Sequence, residues 1–600
     1  MQTAPSILLL LFAGLTSAKL LYEASELSKT GYDFIIVGAG TAGCVLANRL
    51  TAVPNNFTVL VLEAGGDDQG ILGLEVPAIA PSNLANESLI WDYTTVEQSG
   101  LNNRSLAYQR GHVLGGSSSI NFMYFTRGSR DDYDRFANFT DDSSWSWDNL
   151  FPYMLKAENF VQPVNRQTTV GRIIPEDHGH SGPLQTTTTG FPFPFDDLVV
   201  QTSETHNNTF NFSRNPDHNS GDTIGTSWIQ STSGHGMRSS SATAYLHPVL
   251  DRDNLHVLIG AQVTKLYDVG GKTVPDLRKL TFVTNETGVE HTVDAAKEIV
   301  LAAGAVNSPQ LLLLSGIGDS EELAAHNITP LVQLPAVGKQ MQDHPLFSVQ
   351  FTTDSTETLD SFNRNTTAVA DALEQWKENR TGFDTSLASN LFSWVRLPDD
   401  SDVIKTFGDA SAGPTSGHIE LLSIDYFISF SGPAPDNGTF ITMTLNVASP
   451  ASRGQVQLNS SDPLEFPLID PAFLTNGFDV DVMVAAIHAA EDFLGTAPWA
   501  GMNLQRFGAW ANATTDDELA DVARAGIVTF WHPCCTARMG KEDDDTAVVT
   551  SKLLVKGVTG LRVVDASVFP FIPAAHLQAP VYAIAERAVD IILDAHANPK

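Results

Sequence analysis

A chain of 600 residues carrying a formal net charge of −34 is a poor partner for nucleic acid or an anionic membrane, since both need cationic surface. Hydrophobic content of 42% with 17% charged residues excludes a disordered chain and fits a globular protein with room for two functional domains. The three cysteines, Cys44, Cys534 and Cys535, exclude a disulfide framework, because adjacent cysteines rarely bridge, and zinc-type spacing is absent, so no metal is expected.

Ile7 to Leu15 is a short apolar run followed by the small residues Thr16-Ser17-Ala18. It reads as a signal peptide over residues 1–18, too short to span a bilayer. The n-region has no Lys or Arg, and a buried N-terminal helix is the competing reading. Asn-x-Ser/Thr sequons at Asn56, Asn86, Asn103, Asn138, Asn285, Asn365, Asn437 and Asn512 favour a secreted, extracellular glycoprotein. No later stretch is apolar and long enough for a membrane span.

Tyr32 to Val37 has the length and β-richness of a buried strand. Gly38-Ala39-Gly40-Thr41-Ala42-Gly43 follows at once, Cys44 to Leu50 reads as a helix, and Thr58 to Leu62 as a second strand ending on Glu63. This strand, glycine turn, helix, strand, acid order is that of a dinucleotide fold. Gly38 permits the tight turn, Gly40 lets backbone approach a pyrophosphate, and Gly43 lets helix and strand lie close. The helix N-terminus then neutralises phosphate charge. Glu63, 20 residues past Gly43, is placed to bind ribose hydroxyls. Cys44 on that helix reads as a small buried thiol.

Residues 69–104 are expected to form an extended cover over the nucleotide. Arg110 to Asn121 carries Leu114-Gly115-Gly116-Ser117-Ser118-Ser119, either a flexible turn or a loop offering N–H donors to a planar ligand. Trp147 to Phe160 has helical spacing. The polar stretch 162–221, with Thr186 to Thr189, reads as surface loop. Asn254 to Ile259, Val263 to Leu266 and Glu298 to Gly304 return to strand character and belong in the nucleotide sheet. Ser308 to Leu314 starts a helix. Residues 346–528 mix strand and helix signals and form the expected substrate domain. Leu561 to Asp565 is a strand, and Val581 to Ala595 a helix.

Further motifs are Gly304-Ala305-Val306-Asn307-Ser308-Pro309 running to Gly318, Val337-Gly338 running to Asp343-His344-Pro345, His532-Pro533 with Thr536 and Met539, and Val564-Asp565-Ala566-Ser567 leading to His576. With the two glycine loops, these motifs in this order resemble the glucose–methanol–choline (GMC) family of flavin oxidoreductases nearly end to end. Ser239 to Leu246, and Gln375-Trp376 with Arg380-Thr381-Gly382, look most like its secreted fungal aryl-alcohol oxidases and their dehydrogenase relatives.

The resemblance implies an α/β fold, α+β overall. A Rossmann-like FAD-binding domain would be assembled from residues 31–150, 222–345 and 529–600. A substrate domain with an antiparallel sheet flanked by helices would take 151–221 and 346–528. The implied cofactor is FAD. Gly38, Gly40, Gly43 and Glu63 would hold its ADP half, with Val263 near the adenine and Asp565 near the pyrophosphate and ribitol. Gly115, Gly116, Ser117 and Asn121 would face the flavin. Thr41, Ala42, Arg110, Leu114, Ala303 and Ala566 complete the cofactor set. Some family members attach FAD through a histidine immediately before that asparagine; Ile120 stands there, so non-covalent FAD is expected.

The resemblance makes His532 the base and His576 the partner of the alkoxide oxygen. An alcohol gives up a hydride only as its hydroxyl proton leaves, and imidazole is largely neutral near pH 7. The expected reaction is oxidation of a primary aryl or benzylic alcohol, with hydride passing to flavin N5 and oxygen reduced to hydrogen peroxide. A dehydrogenase passing electrons from aryl alcohols or sugars to quinones or radicals is the alternative, and a non-redox hydroxynitrile lyase a minor one. Phe122, Trp531 and the gate-like Tyr426-Phe427 are expected to wall the substrate pocket, or simply to pack core. Two departures alter that wall: Trp531 stands where relatives have Phe, and Cys535 where glycine is usual.

Overall fold

The computed structural model describes residues 20–27, 31–205, 209–271, 273–284, 288–430 and 432–597. The expected signal peptide and the sequon at Asn285 lie outside them. Strand Tyr32–Val37 is buried at every position except Asp33, as a parallel strand covered on both faces must be. It lies parallel to Val59–Leu62 on one side and to the end of Glu290–Leu301 on the other. Leu255–Leu258 and then Leu20–Leu21 extend the sheet beyond Val59–Leu62. Leu561–Val563 joins in parallel at Ile299–Leu301. Strands from four distant stretches of chain thus form one nucleotide sheet. Ala261–Tyr267 does not prolong Leu255–Leu258. It pairs antiparallel with Lys279–Thr284, which pairs antiparallel with the outer half of Glu290–Leu301.

Helix Thr41–Leu50 is buried almost all round between this sheet and the C-terminal helix Gln578–His596. Glu586 on the latter ties the layers together: it is fully buried, 2.7 Å from Arg49 Nη2 and 3.0 Å from Lys156 Nζ, and accepts from Tyr245 Oη at 3.0 Å.

A second sheet runs Gln505–Phe507, Pro345–Thr352, Phe440–Val447, Ile419–Ile424, Leu391–Val395, Gly225–Trp228, with every pairing antiparallel. Helix Gly477–Leu494 covers it, burying Phe478, Val482, Met483, Ala486, Ile487 and Ala490. Val528–Thr529 pairs with Pro345–Leu346 and delivers the chain from this sheet straight to His532.

Three sequence expectations change. Gly225–Trp228, placed by sequence in the nucleotide segment 222–345, is the edge strand of the second sheet. The helix starting at Trp147 ends at Ala157, and Glu158–Phe160 is a strand. The supposed surface loop 162–221 contains the buried strand Leu184–Thr188, parallel to Glu158–Phe160 and antiparallel to Gln230–Ser231. Its polar composition misleads because its neighbours are polar too: Thr186 Oγ1 donates to Glu158 Oε1 at 2.6 Å. Among the described residues no helix is long and apolar enough to cross a membrane. The sequon residues Asn86, Asn103, Asn138, Asn365, Asn437 and Asn512 are exposed.

Candidate active site

One continuous cleft, whose roughly 1760 Å³ of space between protein atoms includes its opening to solvent, is lined both by the glycine turn after Tyr32–Val37 and by His532 and His576. Close backbone approach builds its floor. Gly38 has φ +99°, and a β-carbon there would sit 2.6 Å from the Ala302 carbonyl oxygen. At Gly43 it would sit 1.9 Å from the Gly38 oxygen, so Gly43 seats the helix rather than lining the cavity. Gly116, at φ +55°, passes so near Gly40 that a β-carbon would come within 2.8 Å of the Gly40 Cα. Gly115 N–H donates to the Ala39 carbonyl and Leu114 N–H to that of Gly66. Leu114 and Gly115 are therefore buried ties between the two loops and not part of the lining.

Gly40, Thr41 and Ala42 bring the N-terminus of helix Thr41–Leu50 to the cavity, and no side chain caps it. Its free N–H groups suit a diphosphate. The Glu63 carboxylate accepts from Ala39 N–H at 2.7 Å and Gly65 N–H at 2.8 Å; burial, partly offset by these two donors, pushes it up to about 7. Val263, Ala303, Asp565, Ala566, Arg110, Ser117, Asn121 and Phe122 also line the cavity. Asp565 accepts from Gly304 N–H at 2.9 Å and Ser308 Oγ at 2.6 Å, which joins the Leu561–Val563 strand to helix Gly304–Leu314. Uncapped helix amides, a buried carboxylate and glycine edges that admit no side chain fit a dinucleotide.

His532 and His576 stand with ring centroids 5.0 Å apart and planes at 84°. Neither is held alone. His344 Nε2 lies 3.1 Å from the Ala448 carbonyl, which can only accept, so that nitrogen carries the proton. Burial, with His576 nearby, holds His344 down at about 3, so it is neutral and its Nδ1 is an acceptor. The His532 Nδ1, 2.9 Å away, must then be the donor. That leaves His532 Nε2 as its one lone pair. Asp343, raised to about 6 by burial, accepts the backbone N–H of both His532 and His344 and so fixes the two segments that carry them. Burial first, then His576, His344 and Arg110, holds His532 well below the ordinary imidazole value. His576 Nε2 lies 2.9 Å from Glu420 Oε1, and Asn446 Nδ2 donates to Glu420 Oε2 at 2.5 Å.

Trp531, just before His532, has φ +58°, a left-handed conformation uncommon for a bulky residue. Arg110 Nη1 donates to its carbonyl at 2.7 Å, and its indole Nε1 to Gln109 Oε1 at 3.2 Å. Its ring meets Phe122 at 5.9 Å and Phe430 at 5.8 Å. Tyr426 and Phe427 do not line the cavity: Phe427 packs on Phe440 and Phe507, and Phe430, three residues on, is the ring that reaches Trp531. Tyr124, stacked on His576 at 5.0 Å, and Phe530, 4.8 Å from His532, are lining residues that sequence reading passed over. His344 and Glu420 were also missed. Glu420 left a signal, a lone acid in the apolar run Ile419 to Ile424.

The GMC oxidoreductase family models match this chain over residues 32–346 and 450–585. The chain belongs to the GMC oxidoreductase family. It is 37% identical to the dehydrogenase eriK of Hericium erinaceus over 97% of each chain. It is 36% identical to pyranose dehydrogenase 3 of Leucoagaricus meleagris over 95% of this chain and 94% of that one. An FAD-dependent oxidoreductase from Chaetomium thermophilum superposes with a TM-score of 0.85 at 28% identity, covering 95% of this chain and 100% of its own. A fungal aryl-alcohol oxidase superposes with a TM-score of 0.81 at 25% identity, covering 95% and 100%. The cofactor of this GMC oxidoreductase is FAD, and the glycine cradle with Glu63 and Asp565 fits it.

Gly116→Ala should separate cradle from fold. The new methyl meets Gly40 backbone at a positive φ, and overpacking of this kind costs about 1–3 kcal/mol. If the strain falls on the cradle, FAD binds roughly 10–100-fold more weakly. Titration of the apoprotein reads this directly; unchanged FAD affinity would show that the two loops do not shape the site.

Proposed function

We propose that this GMC oxidoreductase oxidises a ring-bearing primary alcohol, an aryl or benzylic alcohol first, to the aldehyde. The observation that carries the reading is the tautomer of His532. A nitrogen lone pair with no hydrogen-bond partner among the described residues belongs to a ring that lines the cavity among Phe122, Tyr124, Phe530 and Trp531. Bound FAD supplies the two-electron acceptor that takes a hydride from the alcohol carbon. The rings sandwich a flat substrate by burial and stacking. His532 Nε2 takes the hydroxyl proton. His576 commits Nε2 to Glu420, which leaves Nδ1 for the substrate oxygen and sets a counter-charge behind the ring.

His344 acts through His532. His344→Leu removes the acceptor of the His532 Nδ1 proton and frees the wrong tautomer, with an expected loss of about 10²–10³ in flavin reduction. His344→Asn, whose amide oxygen can stand near the position of Nδ1, should recover part of it. A merely structural role would lower both variants alike and leave the pH profile unmoved. In the wild type the depressed His532 keeps the base unprotonated below pH 6.5, so the rate of flavin reduction stays level into mildly acid solution.

Oxygen as acceptor, giving hydrogen peroxide, is the reading the aryl-alcohol oxidase fold neighbour supports. A second reading, a sugar donor with a quinone acceptor, is favoured by the pyranose dehydrogenase at 36% identity and by the polar Gln109 beside Trp531. One anaerobic experiment tests both. Aryl alcohols and pyranoses are each added to the oxidised enzyme, flavin bleaching is followed, and oxygen or a quinone is then admitted. Bleaching by pyranoses alone would sink the aryl-alcohol reading, and bleaching by neither class would sink both. Ile120 offers no nucleophile, so FAD is proposed to leave with the supernatant on acid precipitation. We also infer a secreted glycoprotein from the exposed sequons, which predicts a loss of mass on treatment with an N-glycosidase.

A further inference from the structure

Cys534 and Cys535 follow His532-Pro533, and both are wholly buried. Their Sγ atoms lie 2.9 Å apart, so roughly 0.9 Å of further approach would reach the ~2.04 Å of a disulfide. The backbone is clamped on both sides of the pair. Cys534 and Gln342 exchange N–H to carbonyl bonds of 3.0 and 3.2 Å, and Cys535 N–H donates to the Ala566 carbonyl at 3.2 Å. Cys535 is held at φ +72°, a conformation that glycine adopts freely and a β-carbon resists. In this conformation the second sulfur stands against the first. Cys44 belongs elsewhere, with its Sγ 3.1 Å from the Ala39 carbonyl on the nucleotide helix.

We propose that Cys534 and Cys535 are a vicinal dithiol that closes to a disulfide as the chain folds in an oxidising compartment, forming a small covalent ring in the wall behind the base. The step is thiol–disulfide exchange with a protein or small-molecule disulfide. One thiolate attacks the oxidant and forms a mixed disulfide. The neighbouring thiolate then displaces the oxidant's second sulfur, so the pair loses two protons and two electrons and the oxidant leaves as two thiols. Burial pushes the Cys534 thiol well up, which suppresses its thiolate in the finished fold and puts the exchange before the site closes. Consecutive Cα atoms are about 3.8 Å apart, below the ~4.4–6.8 Å usual for disulfides. The ring is therefore strained and belongs among the readily reduced bonds, protected here by its burial.

The test needs no substrate. The full chain is produced through the secretory pathway of a fungal host, isolated without reductant, unfolded in iodoacetamide and mapped by mass spectrometry. Cys44 alone should be alkylated, with the Cys534–Cys535 peptide lighter by two hydrogens, and prior reduction should raise the count to three. Three alkylated cysteines without reductant would overturn the proposal, as would either residue joined to Cys44 or to an external thiol. Cys535→Gly, which suits the left-handed backbone and lies outside the cavity lining, should expose Cys44 and Cys534 to alkylation and keep its FAD.

Discussion

His532→Ala lowers the rate of flavin reduction by alcohol about 10²–10⁴-fold while FAD stays bound. The methyl group removes the base proposed for the hydroxyl proton; His576, with Nε2 held by Glu420 and Nδ1 turned to the substrate oxygen, supplies only the residual rate. The variant should fold, since the strand Val528–Thr529 and the backbone bonds to Asp343 do not use the imidazole. Removing the ring does leave the His344 Nδ1 without its donor, a buried acceptor that costs about 1–3 kcal/mol. Rapid mixing under argon measures the effect. Wild-type bleaching rates in His532→Ala would end the assignment of this residue as the base. Loss of FAD would show that it supports the cradle instead.

Glu158→Ala is the largest expected blow to stability, about 3–5 kcal/mol. Glu158 is fully buried, 2.6 Å from Arg127 Nη2 and 3.0 Å from His178 Nδ1, and accepts from Gly179 N–H and Thr186 Oγ1. His178 in turn lies 2.8 Å from Asp217. The alanine leaves the buried Arg127 guanidinium without its carboxylate and His178 with Asp217 alone. Urea unfolding followed by tryptophan fluorescence reads the change; a loss below about 1 kcal/mol would mean that water reaches the cluster. The network also sets a pH window. Burial lowers His178, but Glu158 and Asp217 outweigh it and raise it to about 9, so its contribution is complete below its ordinary 6.5 and fades as pH rises through 9. Burial raises Glu158, but Arg127 and His178 outweigh it and bring it to about 2, so its contribution is complete above 4.5 and fades as pH falls through 2. Both act in full between pH 4.5 and 6.5.

What could be read from residues alone was local. Tyr32 to Glu63 announces its strand, turn and helix because each depends on neighbours within a few positions: an apolar run, glycines that a β-carbon would block, an acid at the next strand's end. The same logic found the later strands of the nucleotide sheet; the motif around His532 came with the family resemblance. It failed at 162–221, where Thr186, His178 and Asp217 look like solvent-facing polar residues; Thr186 and His178 are buried against the Glu158 carboxylate from another segment, and Asp217 is buried against His178. It failed again at Tyr426 and Phe427, because which ring of an aromatic loop meets Trp531 depends on the loop's path and not on its composition.

The chain by itself determined the class of cofactor fold, which rests on local backbone geometry, and motif order, through the family resemblance, pointed to His532 and His576. Only the tertiary structure decided the proton on His532. That proton depends on His344, 188 positions earlier, and on a single carbonyl at Ala448. It likewise brought Glu420 to His576 across 156 positions and turned Cys535 against Cys534. Hydrogen bonds of about 3 Å are made between atoms that the packing of two sheets brings together, and no spacing along the chain carries that distance.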